Sequence, residues 1–179
     1  MTYFIFGKFK VILFKEGGKL FNIGDKVVYP MQGAGVIEAI EEREFSGEAQ
    51  KYYVIRIAHN RLTIMIPECK IADSHLRLVN DEDTLKFILQ NVHGHSCPMQ
   101  NFSSMKERNE YLNSKIKSGS LKENAEVVIE LMEINSNKRL NSTEKQLLDK
   151  AKKLIIGEIS LIKGISPNQA TVLLNSSMN

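Results

Sequence analysis

The spacing of apolar residues changes period once along this chain, near residue 80, and that change constrains the fold more than any other feature. Before it, the pattern alternates: Lys51–Ala58 (KYYVIRIA) sets large apolar positions against polar or half-exposed ones, and Ile64 and Ile66 alternate with Thr63 and Met65 until Pro67 stops the run. After it, Leu85, Ile88, Leu89 and Val92 recur at i, i+3, i+4 and i+7, the stripe of an amphipathic helix. A sheet-forming segment is therefore followed by a helical one.

In the first segment, residues 26–30 (KVVYP) predict a short strand, and Gly33 and Gly35 allow a tight connection into a second strand over Val36–Arg43. Residues 46–48 (SGE) and His59-Asn60 have turn chemistry. About five short, contiguous strands with no helix between them are best relieved of their edges by closing into a small SH3-like or Tudor-like β-barrel. On the last long strand Ile64 and Ile66 are the expected buried set, which leaves Met65 facing solvent. An exposed Met beside Arg43 and Arg56 is the composition of a protein-binding patch, the alternative being an isolated surface apolar residue.

In the second segment, one kind of signal recurs ahead of each apolar stripe. Residues 80–83 (NDED) place acceptors and negative charge at a helix start, and Ser104–Glu107 (SMKE), Ser120–Glu123 (SLKE) and Asn141–Glu144 (NSTE) read as helix caps. Ser166–Gln169 (SPNQ) opens a short fifth helix with Pro at its first position, and Gly119 follows the second helix as its C-terminal stop. The expected stripes are Val127, Val128, Leu131 and Met132 in the third helix and Leu147, Leu148, Ala151, Leu154 and Ile155 in the fourth. The predicted fold class is α+β in two domains: a β-barrel over 21–79 and an all-α domain of about five helices over 80–179, with no sheet beyond residue 80.

Residues 1–20 stand apart as an N-terminal extension. They are apolar and aromatic but broken by Gly7, Lys8 and Lys10, and no small-residue cleavage site follows, so a signal peptide is not expected. Lys15-Glu16-Gly17 is what a purine-rich ribosome-binding sequence encodes in frame. Translation is accordingly expected to start near Leu20, the other reading being an extra N-terminal strand. No apolar run approaches the roughly 20 residues that cross a bilayer. Cys69 and Cys97 build neither a disulfide framework nor a zinc ribbon, which predicts a reduced, cytoplasmic setting without a membrane partner.

Catalytic motifs for phosphate binding, dinucleotide binding, serine hydrolysis and zinc proteolysis are absent from the sequence, and no enzyme activity is expected. His93, His95 and Cys97 supply three ligands at most, with no second His/Cys pair to complete a tetrahedron, so no metal and no cofactor is predicted. The net charge of +3 resides in residues 1–19, four Lys against Glu16, and the rest of the chain sums to zero. Local excess exists all the same. Lys138, Arg139, Lys145, Lys150, Lys152, Lys153 and Lys163 face only Glu144, Asp149 and Glu158 between 136 and 163, and Lys106, Arg108, Lys115 and Lys117 add more on the second helix. Such a patch suits phosphate backbones, or is simply a solvated helix face.

Several motifs in order resemble one family. Phe21–Asp25 (FNIGD), Val27–Pro30 (VVYP), Gly33–Gly35 (GAG), Tyr52-Tyr53, Pro67 and Leu76-Arg77 resemble the RNA polymerase-interacting module common to bacterial CarD/CdnL regulators and the transcription-repair coupling factor. Lys115–Ser120 (KIKSGS), Glu126–Val128 (EVV) and the spacing Leu140, Ser142, Glu144-Lys145, Leu148, Ala151 resemble the helical DNA-binding domain of CarD, which decides between the two. The resemblance spans about residues 20–163.

It implies a global transcription regulator without enzymatic activity, nucleoid-associated in the cytoplasm. Its barrel would dock on the RNA polymerase β subunit and its helices would meet double-stranded promoter DNA at the upstream edge of the melted region, stabilising the open complex. A non-DNA-binding adaptor of polymerase is the alternative, and a strand-exchanged homodimer is left open. Arg43 matches a family arginine at the polymerase interface and Met65 falls where some members carry another arginine; with Arg56 from the outer-face patch, these are the expected polymerase-binding residues. The DNA-binding set is Met105, Lys106, Arg108, Lys138, Arg139, Lys145 and Lys152. Family members commonly place a Trp wedge at the start of the second helix, and this chain has no Trp; Met105 falls in its place, with Phe102 nearby.

Overall fold

The computed structural model describes residues 21–45, 48–60, 62–91 and 102–177. The expected start near Leu20 and the His93, His95, Cys97 cluster lie outside those residues. Five strands come first: β1 (Lys26–Tyr29), β2 (Gly33–Phe45), β3 (Glu48–Ile57), β4 (Thr63–Pro67) and β5 (Arg77–Leu78). Two short 3-10 turns, Glu68–Lys70 and Ala72–Ser74, separate the last two strands. Five helices follow: α1 (Glu82–Asn91), α2 (Met105–Ser118), α3 (Leu121–Asn137), α4 (Ser142–Lys163) and α5 (Pro167–Ser177). Among the described residues no strand follows β5.

All pairings in the sheet are antiparallel, in the order β4-β3-β2-β1-β5, so that β4 and β5 are its edges. The β1–β2 connection is tighter than the sequence predicts. Gly33 and Gly35 lie inside β2, opposite Tyr29 and Val27, and the turn is made by residues 30–32, with Met31 at a φ of 67° and Gln32 N–H donating to the Tyr29 carbonyl at 3.1 Å. Gly35 is required by a close approach: a Cβ there would stand 2.5 Å from the Arg56 carbonyl oxygen. The inward rows of the strands, Val27, Ile37, Tyr53, Ile55, Ile57 and Ile66, close one core with Phe21, Ile71 and Leu76.

Ile64 and Met65 correct the alternation expected for β4. Both are half-buried, and of this pair and Ile66 only Ile66 is fully enclosed. β4 is an edge strand, so its inward side chains have a neighbour on one flank only, while Met65 lies opposite Val54, an outward residue that is itself 7% exposed.

Each predicted helix start is present, though the caps differ in completeness. Asn141 and Glu144 form a reciprocal box at α4: the Asn141 side chain accepts from Glu144 N–H at 2.9 Å and the Glu144 carboxylate accepts from Asn141 N–H at 2.8 Å. Ser166 and Gln169 do the same at α5, at 3.3 and 3.0 Å. At α2 the Ser104 hydroxyl accepts from Glu107 N–H, but the Glu107 carboxylate reaches past it to Ser103 N–H and Oγ. Those bonds hold the Glu107 carboxyl below its ordinary range. The helical core runs from Leu85 and Leu89 through Leu112, Ile116, Val127, Val128 and Leu131 to Leu147, Ala151, Leu154 and Ile155; Ile88, Met132 and Leu148 pack against it half-buried.

The sheet rests on α4 through its β1–β2 end. Ala34 is fully buried outside the sheet's own core, a Cβ added at Gly157 would lie 3.9 Å from the Ala34 Cβ, and Lys26 Nζ donates to the Leu161 carbonyl at 2.6 Å.

Candidate functional site

The outer face of the sheet is laid out by register. Arg43 pairs with Gln50, Glu41 with Tyr52 and Pro67, Ala39 with Val54 and Met65, and Val36 with Arg56 and Thr63. Since alternate residues of β3 share a face, Arg43, Met65 and Arg56 all project from the side opposite the core. Arg43 donates from Nη2 to Glu41 at 2.8 Å, and Arg56 Nε to Glu38 at 3.2 Å. These are solvent-facing pairs of little energetic weight, which orient the guanidinium groups without sequestering them. The register shift between Ile37 and Ala39 is a bulge that re-aims this part of β2.

In the helical half, the seven expected DNA-facing residues divide. Met105 is exposed (50%), and Lys106, Lys138, Arg139 and Lys145 are exposed as well, whereas Lys152 is half-buried. Arg108 turns inward, a correction to the expectation that it belongs to an open basic face. Its guanidinium pairs with Glu144, whose side chain is only 3% exposed. Lys115, counted with the basic surface from sequence, is likewise buried: its Nζ bonds to Glu126 at 2.8 Å and lies 4.9 Å from the centroid of the Tyr111 ring. Phe102 stacks obliquely on Tyr111 at 5.3 Å, so Met105 is the freer apolar side chain at the start of α2.

The Arg108–Glu144 pair brings separate elements together. Arg108 is the fourth residue of α2 and Glu144 the third of α4, so their pair joins the starts of these two helices, with Met105 opening α2 and the Lys138-Arg139 loop leading into α4. Lys145 follows Glu144 directly. Met105, Lys138, Arg139 and Lys145 are thereby gathered at one end of the helices, while Lys152 lies two turns farther along α4.

Three groups escape a reading from pattern alone: Glu144, Glu158 and Arg77. Glu158 is 2% exposed and meets Arg77 of β5 through two bonds of 2.8 Å. A signal was present, because Glu144 and Glu158 fall on the helical stripe that includes Leu147, Ala151, Leu154 and Ile155, and Lys115 falls on that of Leu112 and Ile116. A charge in a core stripe announces a buried partner. His59, in the turn before β4, stays exposed, and its imidazole pKa is lowered by partial desolvation and by the nearby Lys153 ammonium. Among the described residues no group of His, Cys, Asp and Glu could hold a metal ion, and no helix is long and apolar enough to cross a membrane.

A sheet whose outer face sets exposed Arg43 and Arg56 beside a half-buried Met65, joined to a helical unit with an exposed apolar residue among cations, gives the chain a two-module layout. Comparison with known proteins gives its family. Residues 21–79 match the CarD-like/TRCF RID domain, and residues 88–175 match the CarD C-terminal domain. The chain is also 46% identical over 151 residues to "Putative transcription factor YdeB" of Bacillus subtilis (strain 168), covering 84% of this chain and 97% of that protein. The chain belongs to the CarD/CdnL family of transcription regulators.

Proposed function

We infer that this protein is a global regulator of transcription initiation that docks on the RNA polymerase β subunit through residues 21–79 and contacts promoter DNA through residues 80–179. The sheet is read as the family's Tudor-like barrel, with Arg43, Arg56 and Met65 on its polymerase-facing side. Met65 contributes adaptable apolar contact where a charged one is used by some relatives. Met105 acts as the wedge at the upstream edge of the bubble, and Lys106, Lys138, Arg139, Lys145 and Lys152 hold phosphates. Arg108 enters as the residue that positions this end.

The observation that carries the reading is the collection of exposed Met105, Lys138, Arg139 and Lys145 around the Arg108–Glu144 contact. A few such contacts are weak alone, and binding to polymerase raises their effective concentration at the DNA. They act on melting only insofar as they favour open over closed DNA. Lacking an indole nitrogen, Met105 gives less of that preference than Trp would.

The internal use of Arg108 and Lys115 supports a second reading, a polymerase adaptor whose helical half binds protein. The variant Lys138→Glu/Arg139→Glu/Lys145→Glu separates them. A DNA-contacting regulator loses its effect on open-complex lifetime while retaining polymerase binding; an adaptor keeps both. Arg43→Glu/Met65→Glu is expected to abolish polymerase binding, and retention of full affinity would move the docking site elsewhere.

A further inference from the structure

Only residues 79–81 connect β5 to α1, and that short connection is fastened at one polar node. The buried Glu158 carboxylate accepts from Arg77 Nη1 and Nη2 at 2.8 Å each, from Asn80 N–H at 3.1 Å and from Asn80 Nδ2 at 2.9 Å. Arg77 continues to the α2–α3 junction, where Nε and Nη2 donate to the Gly119 carbonyl at 3.0 and 2.8 Å. One side chain from the sheet thus bridges α4 and the α2–α3 turn, and one from α4 holds both the last strand and the connection that leaves it.

Such a node differs in kind from apolar adhesion. Hydrophobic burial is non-directional and lets two packed surfaces slide, whereas a carboxylate with four donors loses several bonds together when the angle between its partners changes. The charge left behind would be buried and unpaired, which is strongly unfavourable. A flexible tether needs nothing of this sort.

We propose that Glu158 is a positioning residue: through Arg77, Asn80 and Gly119 it sets the angle between the sheet face bearing Arg43 and Met65 and the helical end bearing Met105, Lys138 and Arg139, so that polymerase and DNA are engaged together only in this arrangement. The proposal rests on the function inferred above and adds that orientation, beyond tethering, determines the effect on promoter opening.

The test uses the full chain with Cys69→Ser and Cys97→Ser, in which Glu158→Gln removes the charge at constant shape. Residual dipolar couplings fitted separately to residues 21–79 and 88–175 give one common alignment tensor for the parent and two different tensors for Glu158→Gln. Open-complex lifetime falls at least about fivefold, the low end of typical coupling between sites, with polymerase affinity unchanged. A second variant restores the angle without the charge. The 3.9 Å between the Ala34 Cβ and a Cβ built at Gly157 falls within disulfide range. Ala34→Cys/Gly157→Cys added to Glu158→Gln should regain the common tensor and the lifetime when oxidised, and lose both on reduction. Should Glu158→Gln not fold, Arg77→Lys replaces it, because a single ammonium cannot span Glu158 and Gly119 as the guanidinium fork does. A common tensor retained in the node variant, or an oxidised lock that restores the tensor but not the lifetime, overturns the proposal. A parent protein without effect on lifetime refutes the inferred function instead, and the tensors still decide whether the node sets the angle.

Discussion

Replacing Arg108 by Met keeps most of the side chain's apolar stem and removes its charge, which separates structural from DNA-binding work at this position. Arg108 and Glu144 have side-chain exposures of 22% and 3%. Without the guanidinium, the Glu144 carboxylate keeps its bond from Asn141 N–H and little else, while remaining out of water. Removing one partner of a buried pair costs about 3–5 kcal/mol, and the residual exposure of Arg108 places this case near the lower bound. In a chain of this size 1 kcal/mol shifts Tm by roughly 2–4 °C, so a decrease of about 6–12 °C is expected. Thermal melting by circular dichroism measures it. Combining Arg108→Met with Glu144→Gln should recover part of the loss, since the second change removes the stranded charge. A Tm within about 2 °C of the parent, as for an ordinary surface substitution, together with weakened DNA binding would refute this reasoning and return Arg108 to the open basic face.

Three further outcomes follow from the same contacts. Asn141→Ala removes the side-chain half of the α4 box and should cost about 1 kcal/mol, seen in denaturant melts and as faster amide exchange of Glu144. Gly119→Ala meets a φ of 73° and a Cβ 3.1 Å from Pro30 Cγ, and should lower stability by about 1–3 kcal/mol with an unchanged denaturant m value. Glu130 has its carboxyl pKa raised above 4.5, chiefly by burial and against the pull of Lys115 and Arg108. The folded state therefore binds this proton more tightly, and stability falls as pH rises from the unfolded pKa through the folded one. Glu130→Gln should then raise Tm at neutral pH and lose that advantage below about pH 4.5, the unperturbed value; an equal gain at both pH values would disprove the assignment.

The helix starts were legible because capping is local: Ser104, Ser120, Asn141 and Ser166 each meet a partner three residues along the chain. The outer-face grouping of Arg43, Arg56 and Met65 was legible only in part. Period two assigns sides within one strand, but the bulge between Ile37 and Ala39 decides how β2 aligns with β3. The full exposure expected for Met65 failed as well: it lies opposite Val54, an outward residue that is itself 7% exposed, and is half-buried. Lys115 and Arg108 were misjudged as surface cations because composition counts charges without locating their partners.

By itself the sequence determined the order of sheet and helices, the caps, the core stripes and the family, all of which rest on residues a few positions apart or on ordered motifs. The tertiary structure alone decided which charges meet water and which hold the molecule together. Glu144 finds Arg108 across 36 positions and Glu158 finds Arg77 across 81, and no local period records such a meeting. The physical reason is that burial of a charge is a property of the pair, and the pair exists only once the chain has closed upon itself.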